Sequence, residues 1–405
     1  MEDNKLNTIK APHILLPKKD IDMSKWAVIA CDQYTSQPTY WEDLKRYVGD
    51  SPSSFHLIYP EVYLDQDNDQ YIKKINQAMA KYLNENILND LGSCMILVDR
   101  KTAYAERRLG LVLAVDLEDY SYEVGSKALI RASEQTIISR IPPRAKIRKD
   151  ATVEFPHTLL LINDPKKVII ESINQQKDQF EKVYDFELNM DGGHLKGYKI
   201  LDTDPIIKQL YGLIENQNDP VLFIAGDGNH SLATAKAHWE EVKKQTKDLS
   251  HPARYALVEV INIYDDGLTF EPIHRVIINA DKSFLDGLLP QLKHKSNAWY
   301  IDQNGAKQPL SNGKDAIETY EIIEGYIDKY LKQHPNVAVD YIHGEDDLIE
   351  VCKNQKGSIG LFMPTISRKE IFECVEKGKV LPKKSFSMGE ASEKRYYLES
   401  RKIVY

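Results

Sequence analysis

The sequence predicts a mixed α/β or α+β fold, and three observations predict it. Short apolar runs such as Cys94–Val98 and Val221–Ala225 recur, each ended by Gly, Pro, Asn or Asp. Between them lie segments whose apolar residues fall three or four apart, the mark of amphipathic helices. Strand-like and helix-like segments alternate along the chain, which is the α/β pattern.

Taken in order, residues 68–88 predict a helix, with Ile72, Ile75, Met79, Tyr82, Leu83 and Ile87 at helical spacing. Cys94–Val98 predicts a buried strand, and residues 104–115 predict a second one, interrupted by Arg107 and Arg108. A strand over 157–162 ends at Asn163, Asp164 and Pro165, and a polar helix follows over 165–183. Asp204 and Pro205 predict a helix start, with Asp as N-cap and Pro at the first position. Ile206, Ile207, Leu210, Tyr211 and Ile214 supply its apolar face. Val221–Ala225 predicts a buried strand that breaks at Gly226, Asp227 and Gly228, and a helix runs from near Asn229 to Lys244. Strands over 254–264 and 268–278 flank Asp266 and Gly267, a hairpin signal. The last third predicts helices near 281–294 and 314–332, and strands at 337–342 and 358–363. Ser367 and Glu370 form a capping box that opens a further helix. Residues 302–315, with Gly305, Pro309 and Gly313, predict a linker or excursion.

A chain of 405 residues has room for two or three domains at about 150 residues each. Three regions are expected: 1–125, 126–280 as the binding core, and 281–405 folding back on that core. The 53 basic and 61 acidic residues give a net charge of −8, which argues against a nucleic-acid partner. Cys31, Cys94, Cys352 and Cys374 lie far apart with no CxxC pair, so neither a zinc ribbon nor a disulfide framework is expected. No apolar run reaches about 18 residues, so no membrane span is expected. The first 20 residues have no apolar core of a leader peptide, and a cytoplasmic location is expected. The sequence contains no GxxxxGK[ST], GxSxG or HExxH.

The strongest local signal is residues 223–235, where a buried strand meets a Gly-rich turn and a helix at once. Ligands of α/β proteins bind at the carboxyl ends of strands. A helix N-terminus offers unbonded N–H groups and about half a positive charge, which suits phosphate. Gly226 and Gly228 let the backbone approach a ligand closely. In that setting Asp227 would hold a metal ion or a substrate group, and His230 would donate to a phosphoryl oxygen. A plain strand-to-helix turn capped by Asp or Asn fits the same residues.

A second signal is residues 131–150. Arg140, Arg144, Lys146, Arg148 and Lys149 follow one another with no acid among them, an anion-binding pattern. Glu134 stands just ahead of them as a lone carboxylate, suited to a general base. A solvated basic loop with Glu134 in a surface ion pair is the alternative. Two weaker signals lie toward the C-terminus. Within residues 381–403, Lys383, Lys384, Ser385 and Ser387 would line an anion site, or the segment is a charged C-terminal tail. His274 and Arg275 would face a site or sit satisfied in a core.

Together these segments resemble the DUF1015 family over nearly the whole chain. The matching blocks are AVIACDQYTSQPTYW at 27–41 with SPSSFHLIYPE at 51–61, and Glu134 with Thr136. They continue with GDGNHS at 226–231, with Gly267, Leu268, Pro272, His274 and Arg275, and with Pro382 to Ser385. The family is in turn distantly similar to the ParB/sulfiredoxin-like fold and its free-serine kinases. The resemblance implies a ParB-like core with N-terminal and C-terminal α/β extensions. It implies Glu134 as the base that activates a hydroxyl, and an Asp-Gly-His-His-type turn at Asp227, Gly228, Asn229 and His230. Ser133 stands where that branch has the His before Glu, Asn229 where it has the first His, and Ser231 where it has an Arg. The missing Arg removes a phosphate contact that Arg140, Arg144 or Lys384 would have to supply.

The function expected is a small-molecule phosphotransferase using ATP or ADP with Mg²⁺ on a hydroxyl such as that of L-serine. Glu134, Asp227 and His230 would be catalytic, with Asp227 as the metal ligand. Gly226, Gly228, Asn229, Ser231, Arg140, Arg144, Lys384 and Ser385 would hold phosphate, and Thr136, His274 and Arg275 the substrate. A nucleotide-binding switch and a phosphoester hydrolase are the competing readings. The partners are a nucleotide and a small molecule, with a homodimer allowed.

Overall fold

The computed structural model describes residues 7–64, 69–355 and 357–405. The helix expected over 68–88 is Asp69–Asn84; its first expected residue, and residues 1–6 of the N-terminal reading, lie outside the described residues. The chain folds as two compact units, residues 1–268 with 390–405, and residues 269–389. These boundaries differ from the three regions expected. Strand pairing is the reason: Arg108–Asp116 pairs with Tyr255–Asn262, welding the first expected region to the second.

The first unit is built on a mixed sheet. Its strands run in the order Glu181–Glu187, His194–Ile200, Met95–Lys101, Arg108–Asp116, Tyr255–Asn262, Leu159–Ile162, Phe223–Asp227, Ile130–Ala132 and Tyr120–Ser121. Side chains of a strand alternate between the two faces of a sheet. Ile96 and Val98 accordingly enter one core with Trp26 and Trp41, while Met95 and Leu97 enter the other with Trp239. Tyr255–Asn262 is buried throughout, so it needs a strand on each side and a layer on each face. Residues 390–405 complete this unit: Tyr396–Tyr397 pairs with Val28–Ile29, and Arg401–Lys402 pairs with Val153–Glu154.

The second unit has an antiparallel sheet in the order Lys307–Asn312, His294–Ile301, Ile359–Leu361, Phe270–Ile278 and Ala338–His343. Phe386–Met388 also pairs with Phe270–Ile278. The helix Arg368–Glu376 opens with the expected capping box of Ser367 and Glu370.

Four expectations are corrected. The polar helix over 165–183 shrinks to Ile170–Gln175, because the strand Glu181–Glu187 claims its end; Val183 and Phe186 pack against a core while Glu181, Lys182 and Asp185 face water. The hairpin around Asp266 and Gly267 does not form. Tyr255–Asn262 pairs with Arg108–Asp116 and Leu159–Ile162, and Phe270–Ile278 belongs to the other sheet. The Asp265 carboxylate accepts from the Leu109 and Gly267 N–H groups at 3.1 and 2.8 Å, so the turn is tied to another strand. Residues 302–315 are not a linker: Lys307–Asn312 returns against His294–Ile301. Thr203, not Asp204, holds the N-cap position of Asp204–Gly212. Among the described residues no helix is long and apolar enough to cross a membrane.

Candidate functional site

The strand Phe223–Asp227 runs parallel to Ile130–Ala132, with Ala225 opposite Ala132. The segments that leave both strands therefore start at one edge of the sheet. Ser133 Oγ donates to the Ala225 carbonyl at 2.6 Å, and Ile137 N–H donates to His230 Nε2 at 3.1 Å. Residues 133–137 are thus tied at both ends to residues 225–230, and half-buried Glu134 lies between the ties. Accepting at Nε2 puts the proton of a neutral His230 on Nδ1.

Gly228 is the N-cap of the helix Asn229–Thr246 and has φ 75°, a left-handed conformation. A Cβ there would lie 2.8 Å from Thr158 Cα and 3.2 Å from His157 Cδ2. The close approach of two backbones, as well as the dihedral angle, selects glycine. Asp227 Oδ1 accepts from Gly228 N–H at 2.9 Å, and Asp227 Oδ2 lies 3.3 Å from Lys394 Nζ. Thr136 Oγ1 and Asn229 Oδ1 are buried without a hydrogen-bond partner among the described residues. Such atoms are few in folded proteins and call for an explanation.

His157 extends the cluster. Its Nε2 is 3.1 Å from Asp32 Oδ2, its Nδ1 is 2.7 Å from Tyr397 Oη, and Cys31 Sγ is 3.9 Å from Nδ1. Burial would push the imidazole pKa down, but the Asp32 carboxylate reverses this and holds it well above the usual histidine range. Burial likewise raises Asp32, and His157 overcomes it, so the Asp32 carboxyl falls below its usual value. The pair is an imidazolium–carboxylate beside Gly228.

The remaining expected residues lie as follows. Arg140 is exposed, and its carbonyl accepts from Arg144 Nη1 at 2.8 Å. Arg144 Nε donates to Glu61 Oε1 at 2.7 Å. Ser231 is half-buried in the first turn of the helix. His274, Arg275, Lys384 and Ser385 belong to the second unit. There Arg275 is fully buried and its Nε is 2.6 Å from Glu324 Oε1. His274 Nδ1 accepts from Met363 N–H at 3.1 Å, and burial together with Arg275 pulls its pKa down to about 4. Ser385 Oγ donates to the Pro382 carbonyl at 2.6 Å.

Among the described residues Asp227 builds no all-protein cage for Mg²⁺, which is more often held by one or two carboxylates together with substrate phosphates. Mg²⁺ needs near-octahedral oxygen donors, whereas this carboxylate faces an ammonium and an N–H, and it joins no group of three possible metal ligands among the described residues. Sequence reasoning did not single out Asp32, His157, Lys394 or Tyr397. Asp32 lies inside the block 27–41, which carried part of the resemblance. Lys394 and Tyr397 lie inside the C-terminal signal 381–403, which was read through Lys383 to Ser387, and His157 carried no local pattern.

A mixed α/β protein with a Gly turn, a carboxylate and two cations at one strand end is what the fold and the site define. The chain belongs to the DUF1015 family, described as a protein of unknown function, which matches residues 15–402. No curated protein matches it. Among solved structures it is similar to a free serine kinase in complex with AMP, at 10% identity and a TM-score of 0.40, covering 71% of this chain and 90% of that one. A conserved hypothetical protein from Pyrococcus furiosus is similar at 9% identity and a TM-score of 0.38, covering 72% and 95%. C-terminally truncated SbnI from Staphylococcus aureus is similar at 11% identity and a TM-score of 0.38, covering 69% and 82%. Likenesses at these TM-scores assign no chemistry to this chain.

Proposed function

We propose that the chain is a small-molecule phosphotransferase that moves a phosphoryl group from ATP or ADP to a hydroxyl, with L-serine the first acceptor to try. One observation carries the reading: residues 133–137 are tied at one end to Ala225 and at the other to His230, the two ends of the 225–230 segment. A carboxylate and a helix N-terminus thereby share one strand end. Phosphoryl transfer asks mainly for positioning and charge neutralisation. Glu134 takes the proton of the acceptor hydroxyl, and the N–H groups at the start of Asn229–Thr246 face the phosphates. His230 steadies the transferred group, and Asp227 orients the acceptor. Thr136 Oγ1 and Asn229 Oδ1, buried without partners among the described residues, gain them from the bound substrates. Mg²⁺ arrives with the nucleotide as part of the substrate. A ParB-like core, a cytoplasmic location and a homodimer belong to the same proposal; light scattering reads the last.

The test is phosphorus NMR of the purified protein with MgATP or MgADP and a panel of hydroxyl compounds led by L-serine. A new phosphomonoester signal is expected, and Glu134→Gln should slow its appearance by about 100- to 10,000-fold, the worth of a positioned acid–base group. A Gln variant as fast as wild type removes Glu134 from the mechanism. Nucleotide binding with no product moves the protein to the switch reading, and nucleotide consumption with no acceptor product moves it to hydrolysis.

A further inference from the structure

Arg100 and Arg108 lie on neighbouring strands, paired across the ladder, and both are buried. A buried charge is costly unless its donors are used. Arg100 Nη1 donates to the Glu393 and Lys394 carbonyls at 2.9 and 2.7 Å. Its Nη2 donates to the Gly192 and Ser392 carbonyls at 3.0 and 2.7 Å. Arg108 Nη1 donates to the same Glu393 carbonyl at 2.9 Å. Three successive carbonyls, 392 to 394, are therefore gripped by two guanidinium groups.

Neighbouring residues are held as firmly. Glu393 Oε1 accepts from Thr102 Oγ1 at 2.6 Å, and Glu393 Oε2 accepts from Glu390 N–H at 2.9 Å. Arg395 Nη1 is 2.8 Å from Glu259, its Nη2 contacts Glu399, and its carbonyl accepts from Ala30 N–H at 2.8 Å. Lys394 is the member of this strap whose charged end meets the turn, 3.3 Å from Asp227 Oδ2, with its side chain 12% exposed. Burial, and after it the nearby Arg108, pull the Arg100 pKa down to about 9.

We infer that Lys394, presented by the strap 392–395 that Arg100 and Arg108 pin, is the phosphate-binding cation of the Gly226–His230 turn. It rests on the phosphotransfer reading and supplies the cation that Ser231 cannot. A lysine ammonium is a compact point charge on a flexible stem, and it reaches a phosphate oxygen by turning from Asp227 while its backbone stays fixed. The ligand class is a di- or triphosphate. Such an ion has several oxygens and tolerates one of them facing Lys394 beside the helix N-terminus.

The test is calorimetric binding of ADP and of inorganic tripolyphosphate to the full chain. Lys394→Met should weaken both by about 10- to 100-fold, the usual worth of one charge-assisted hydrogen bond. Lys394→Arg should restore most of the loss. Lys208→Met, on the exposed face of another helix, should change nothing. If Lys394→Met does not fold, acetylation of wild-type Lys394 by acetic anhydride, read by mass spectrometry, should fall when tripolyphosphate is added. Wild-type affinity in Lys394→Met, or unprotected Lys394, overturns the inference and leaves the phosphotransfer reading standing. Lys394-dependent binding of tripolyphosphate without ADP binding upholds the inference and overturns the nucleotide. Binding of neither probe by wild type overturns both.

Discussion

Arg275 in the second unit and Lys394 in the first are both cations paired to a carboxylate, yet they are built in opposite ways. All three guanidinium nitrogens of Arg275 have partners: Glu324, the Ile273 carbonyl and the Lys383 carbonyl. Its charge also lies over the Tyr320 and Tyr341 rings, at 5.2 and 4.8 Å from their centroids. Arg275 and Glu324 side chains are 0% and 7% exposed, whereas Lys394 and Asp227 are 12% and 24% exposed. The first pair is closed to water and fixes a fold. The second stands at a strand end and keeps more exposure to water, so it can exchange partners. Solvent access around an ion pair, more than its residue types, separates a structural charge from a working one.

The comparison breaks if Arg275 proves to be a ligand contact. Arg275→Met strands Glu324 without its main partner and should cost about 3–5 kcal/mol of stability in denaturant unfolding. Replacing Glu324 by Leu as well should recover most of that loss. Full stability together with lost ADP affinity would put Arg275 in the binding site and end the contrast.

Gly228→Ala sharpens the other side. The left-handed backbone and the approach of Thr158 should together cost about 1–3 kcal/mol. Because the turn shifts as well, ADP affinity should fall more than stability does. Equal losses in calorimetry and thermal unfolding would reduce the turn to a structural element.

The smallest effect is a pH dependence from Asp32 and His157. The folded His157 pKa is raised above the unfolded value of about 6.5, so its contribution is full below that pH and is lost as pH rises through the folded value. The Asp32 pKa is depressed, so its contribution is present above about pH 4 and lost as pH falls. The pair should stabilise most between about pH 4 and 6.5. Unfolding free energy should then fall above that range by up to about 1.4 kcal/mol per pH unit. Asp32→Asn should flatten that slope; an unchanged slope would assign it to other groups.

What the sequence disclosed follows from range. The helix from Asn229 and the capping box at Ser367 are set by neighbours within a few residues, and each is present; the strand expected over Val221–Ala225 is there too, shifted to Phe223–Asp227 and running through Gly226. Glu134 and His230 stood out because each sits in a biased local pattern. The hairpin reading failed because Tyr255–Asn262 is buried on both faces, a demand that distant strands satisfy better than its neighbour. The placement of Lys394 and His157 was hidden for the same reason, although Lys394 lies inside the C-terminal signal 381–403. Arg100, Gly192, Asp227 and Lys394 come together from four separate stretches, and no spacing records that.

The strap has one more consequence. The first unit is discontinuous in sequence, with residues 269–389 between its two parts. A ribosome reads the chain in one direction, so the whole of the second unit is synthesised before Ser392, Glu393 and Lys394 exist. Until then Arg100 and Arg108 have no 392–394 carbonyls to grip, and Tyr396–Tyr397 is not there to pair with Val28–Ile29. The Gly226–His230 turn is translated more than 160 residues before Lys394. The order of synthesis alone thus keeps the site incomplete while most of the chain is being made.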